Sequence, residues 1–152
     1  MKLRLHKNAG LIAILGALML LAAIINGVLD RRETIDDWYI VAALSVPDHT
    51  VSDTPIIEFE RHILKPLSGR WSVETQQLKG TQWETVCRGV GLSNYSPDEV
   101  LPEKGVTLGW FRGKCEKTKG TFRLQVIWEF TDADTGETKA RIVTTDAFTV
   151  TE

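Results

Sequence analysis

Hydrophobic and polar positions divide the chain into three regimes. From Ala9 to Leu29 there are 21 residues with no ionisable side chain and a single amide, Asn26. A helix of that length rises roughly 30 Å at ~1.5 Å per residue, about the thickness of a bilayer's hydrocarbon layer. From Ile56 onward, apolar and polar residues alternate with period two, as in strands that bury one face. Residues 30–55 mix both characters and form a juxtamembrane linker.

The apolar run exceeds the roughly 7–15 residues of a cleavable signal. It also lacks a small-x-small cleavage site, because Leu21-Ala22-Ala23 and Ile25-Asn26-Gly27 both begin with a bulky residue. Residues 9–29 therefore read as a retained signal anchor, with cleavage as the alternative. Lys2, Arg4 and Lys7 in the flank 1–8 outnumber Arg31 and Arg32, which Asp30, Glu33, Asp36 and Asp37 dilute. Positive charge resists export, so the flank stays in the cytoplasm and the bulk of the chain faces outward. The expected location is the inner (cytoplasmic) membrane, single-pass, with a periplasmic or extracytoplasmic domain. A type IV pilin anchor is not the expected reading: it wants glutamate five residues past the cleavage glycine, and Leu15 stands five past Gly10.

Within the exported part, "WYIVAALSV" (Trp38–Val46) fits a first strand or a helical continuation, and "PDHTVSDTP" (Pro47–Pro55) is a loop rich in turn formers. "IIEFERHIL" puts Ile57, Phe59 and Ile63 on one face against Glu58, Glu60 and His62. "WSVETQQL" alternates in the same way, and Lys79-Gly80 turns it into a hairpin with "TQWETVCRGV". Gly91–Gly105, with its prolines and glycines, reads as a long crossing loop, and "VTLGWF" as renewed extended structure. "GTFRLQVIWEF" is the clearest strand, with Phe122, Leu124, Val126, Trp128 and Phe130 on one face. "TDADTGET" reverses the chain and "KARIVTTDAFTV" returns as one closing strand. Six or seven strands over residues 56–152 predict an antiparallel β-sandwich of immunoglobulin-like size, with a barrel as the alternative. The likeness to immunoglobulin and fibronectin domains is one of strand count. Trp110 lies five residues before Cys115, so the antibody disulfide pattern does not carry over.

Charge and cysteine content narrow the partners. A formal charge of −2 leaves no basic excess to grip phosphate backbones, so nucleic acid is not an expected partner. Cys87 and Cys115 are the only cysteines. A bridge between them would staple the domain and persist only in an oxidising compartment, as the outward orientation requires. Two unrelated buried thiols are the alternative.

The ordered stretches "PLSGRWSVE", "CRGVGLSNYSPDEVLP", "TLGW" and "TFRLQVIWEF" resemble small, uncharacterised, membrane-anchored β-domain proteins of bacteria and their phages. The resemblance covers most of residues 61–150, implies a phage or prophage context, and brings no functional residue with it.

No nucleophile elbow, phosphate loop or dinucleotide fingerprint occurs, and no cofactor is implied. His62 alternates with Glu60 and Glu58 on a polar strand face. Asp132, Asp134 and Glu137 fail the calcium-loop pattern, because Gly136 holds the fifth position where a ligand is required. The candidate ligand or partner surface is Trp83, whose neighbours are polar, together with Asn94 and Tyr95 in the predicted crossing loop. The chain is expected to be a non-catalytic binding or assembly module that contacts an envelope protein, a phage component or a copy of itself. A sensor or accessory domain recognising a small ligand or glycan is the alternative.

Overall fold

A computed structural model describes residues 14, 16–22, 33–103, 105–112 and 115–152. The predicted span 9–29 falls largely outside these residues. Among them, no helix is long and apolar enough to cross a membrane. Residues 34–152 form one compact unit.

That unit is mainly β and contains two sheets. The smaller sheet orders β1 (Tyr39–Ser45), β3 (Ile56–Ile63) and β6 (Val106–Thr107), with β3 central and both pairings antiparallel. The larger runs in the order β2 (His49–Thr50), β9 (Phe148–Thr151), β7 (Gly120–Asp132), β4 (Leu67–Lys79) and β5 (Gln82–Tyr95). β8 (Thr138–Thr144) also pairs with β7. One pairing departs from the antiparallel expectation, since β2 joins β9 in parallel.

Strand β7 organises the core. Its inward row Phe122, Leu124, Val126, Trp128 and Phe130 is buried throughout, as alternation predicts. Each such side chain is worth ~1.5–3 kcal/mol on removal from water. The rings of Tyr39 and Phe59, from the smaller sheet, meet this row. Tyr39 lies 4.7 Å from Phe130 and 5.4 Å from Trp128, and Phe59 stacks parallel to Trp128 at 6.2 Å.

One open alternative is decided, and three expectations need correction. For residues 38–46 the strand alternative holds over Tyr39–Ser45, where Tyr39 pairs across to Ile63 and the ladder runs to Ser45. The predicted crossing loop 91–105 begins only after Tyr95, since β4 and β5 pair from Lys79↔Gln82 to Leu67↔Tyr95. Gly91 is not a turn former there: a Cβ would lie 2.5 Å from the Trp71 ring, so glycine leaves the room that the indole occupies against the strand. "VTLGWF" is extended only at Val106–Thr107 and then coils into a one-turn helix, α1 (Leu108–Arg112). Thr107 caps it, its Oγ1 accepting a hydrogen bond from Trp110 N at 3.2 Å. Finally, the single closing strand is two. Between β8 and β9, Thr145 keeps β7 bonded: Thr145 N donates to Leu124 O at 2.9 Å, and Leu124 N donates to Thr145 Oγ1 at 3.0 Å.

Candidate functional site: an aromatic cleft with a neutralised ion pair

Strand alternation dictates the first feature of the site. β3 points Ile57, Phe59, Arg61 and Ile63 toward the core, so a guanidinium sits in a row of otherwise apolar side chains. Only 8% of the Arg61 side chain is exposed, and its Nη2 donates to Glu99 Oε1 at 2.7 Å. Its guanidinium carbon lies 5.6 Å from the Phe59 ring centre and 5.3 Å from that of Tyr95. Weak hydration and a flat shape suit arginine to this aromatic slot.

Above the pair a cleft of about 250 Å³ opens. Trp71 and Trp128, direct partners across β4 and β7, form the wall given by the larger sheet. Phe59 closes the opposite side, and α1 supplies the rim. Leu108 and Phe111, three apart on α1, are buried, which turns Trp110 outward with 60% of its surface exposed. Phe111 meets Phe59 edge-on at 5.2 Å, fixing the helix against β3.

Electrostatically the cleft is balanced. Arg61 and Glu99 are the only charged side chains among the described residues that line it. Burial pushes the Tyr95 phenol above its ordinary pKa, against the opposing effects of a Ser93 hydrogen bond and the Arg61 charge. Tyr39, beneath Arg61, is raised further for the same first reason. Both phenols are neutral at physiological pH. Arg61 Nε and the Tyr39 hydroxyl are buried without a hydrogen-bond partner of good geometry, an arrangement that proteins seldom leave unanswered.

The sequence-derived candidates do not gather here. Cys87 and Cys115 are joined in a disulfide, with Cα atoms 5.8 Å apart, and tie β5 to the segment that follows α1. Trp83 is mostly covered, its ring lying under the Arg123 guanidinium at 4.5 Å. It lies twelve residues from Tyr95 along β5, roughly 40 Å at ~3.3 Å per residue. Asn94 is exposed and Tyr95 buried, because adjacent strand residues face opposite ways. Trp83, Asn94 and Tyr95 therefore do not form one surface, and Tyr95 alone lines the cleft. Sequence reasoning passed over Arg61 and Glu99, although the period-two row of β3 placed Arg61 inward.

Two weaker candidates resolve as structural. His62 and Glu60 lie 3.5 Å apart on the exposed face of β3. The Asp132 carboxylate is occupied by Lys65 and accepts hydrogen bonds from Asp134 N and Thr135 N at 2.8 and 3.2 Å. It shapes the β7–β8 turn. Among the described residues no three of His, Cys, Asp or Glu are grouped to hold a metal ion.

No protein-family model matches the chain, and no curated protein or solved structure does so either.

Proposed function

We propose that the chain is a single-pass, membrane-anchored module whose β domain, a sandwich of immunoglobulin-like size, lies outside the cytoplasm and acts by binding rather than by catalysis. The observation that carries this reading is the Cys87–Cys115 bridge. Such bridges persist in oxidising compartments and are rare in reducing ones. The 21-residue apolar run beginning at Ala9, preceded by Lys2, Arg4 and Lys7, supports the same orientation. The charged groups of the cleft support binding, since Arg61 and Glu99 are engaged with one another at 2.7 Å.

One class of partner is a protein of the envelope or a second copy of the chain, met at a strand edge. β5 ends the order of the larger sheet and runs for 14 residues, a surface suited to strand addition. The alternative is a small ligand, and the aromatic cleft favours it. Protease treatment of intact spheroplasts tests the shared claim. The domain should be digested without lysis, and a domain protected until lysis would contradict an outward location.

A further inference from the structure

We infer that the cleft beside Arg61 and Glu99 binds one uncharged saccharide ring. This inference rests on the binding-module reading and gives it a ligand class. Three properties of the cleft select that chemistry. The first is size: about 250 Å³ equals the liquid volume of roughly eight waters at ~30 Å³ each. It lies below the ~300–1,000 Å³ of drug-sized sites, so it admits a single six-membered ring and little more.

The second is the pairing of flat apolar walls with a polar floor. Trp110, which is exposed, and the partly exposed Trp71 offer indole surface on which the C–H face of a pyranose can lie, with the buried Trp128 behind them. Glu99 is bonded to Arg61 through one oxygen, leaving the other able to accept from a hydroxyl. A hydrocarbon ligand would strip water from this ion pair and return no hydrogen bond.

The third is charge. Arg61 and Glu99 cancel, so an anion meets Glu99 and a cation meets Arg61 at close quarters in a partly dry site. A neutral, hydroxyl-rich ring avoids both conflicts. Trp110 is the rim element of this site. Its side chain is exposed where the other tryptophans are partly or fully buried, and the buried Phe111 beside it holds α1 in place.

The test uses the full chain in a zwitterionic, sugar-free detergent. It is titrated with methyl β-D-glucopyranoside, N-acetylglucosamine and maltose, and followed by saturation-transfer NMR and tryptophan fluorescence. Saturable millimolar binding of at least one sugar is expected. Trp110→Ala should weaken it about tenfold, whereas Trp83→Ala should leave it unchanged. Glucuronate should bind the parent less well than the neutral sugar. Glu99→Gln removes the cancelling charge while keeping the shape, so it should reverse that order in favour of glucuronate.

Absence of saturable binding by all three sugars overturns the assignment. So does undiminished binding by a folded Trp110→Ala variant, or an unaltered order of preference in Glu99→Gln. A negative result with an intact bridge and an externally digested domain removes the saccharide assignment alone. A domain protected inside spheroplasts removes the reading beneath it.

Discussion

Replacing Gly91 by alanine adds one methyl group to the chain and isolates the packing that shapes the cleft. The new Cβ would lie 2.5 Å from Trp71 Cζ2, 2.6 Å from Cε2 and 2.8 Å from Nε1. Carbon atoms rest about 3.5–4.0 Å apart, so the overlap is roughly 1 Å across the indole edge. The ring has little room to retreat, since the next residue in its row is the buried Trp128. Overpacking of this kind costs ~1–3 kcal/mol. With a urea dependence of ~1–3 kcal/mol per molar, the unfolding midpoint should fall by about 1 M.

Two glycines serve as controls in the same titration. Gly109, in α1, has nothing within 4 Å of its added Cβ, so Gly109→Ala should be neutral or stabilising by up to ~1 kcal/mol. Gly80, in the hairpin turn, is equally open but has φ +65°, so Gly80→Ala should lose ~1 kcal/mol through backbone strain alone. The near-ultraviolet circular dichroism of Trp71 should change in Gly91→Ala and in neither control. A Gly91→Ala variant as stable as the parent, with an unaltered aromatic spectrum, would refute the described seat of Trp71.

Two further outcomes follow from the staple and from the buried acids. Reducing the bridge, or replacing Cys87 and Cys115 by serine together, frees a segment with sequence separation 28. The chain-entropy relation sets that loss at about 3.6 kcal/mol, measurable as a lower urea midpoint for the double variant. On acidification, stability should fall below about pH 4. The Lys65 ammonium, with backbone N–H groups, holds the Asp132 carboxyl below its ordinary range. For Glu74, burial raises the pKa, but hydrogen bonds from Arg88 and Thr85 outweigh it and the net shift is downward. A depressed folded pKa adds stability that is present above the unfolded value and disappears as pH falls through the folded one. Denaturant titrations between pH 5 and pH 2 should therefore show a shallower acid loss in Asp132→Asn than in the parent.

The strands were legible in the sequence where one face is uniformly apolar. β7 is the clearest case, since all five residues of its inward row are large and none is polar. The hairpin at Lys79-Gly80 was equally legible, because the turn chemistry and the alternation on either side agree. What was misread has local physical causes. Gly91 and Ser93 look like loop residues because the groups that cover β5 there, Trp71 and Tyr95, lie elsewhere in the sequence or at the end of the strand. The helix α1 is a single turn, too short for its period to be told from a strand's. The site was largely hidden. The polarity of sequence neighbours points to Trp83, whereas exposure follows from how α1 packs and selects Trp110. Arg61 carried a signal, its place in the inward row of β3, but Glu99 reaches it from 38 positions away. No spacing announces such a pair.

The proposed placement of the domain in an oxidising compartment is tested most directly by trapping thiols in living cells. After acid quenching, the full chain is treated with a maleimide polymer before and after reduction, and its mass shift is read on a gel. The account predicts no shift before reduction and a shift of two additions after it. Two additions on the unreduced chain would contradict the bridge and, with it, the proposed extracytoplasmic placement.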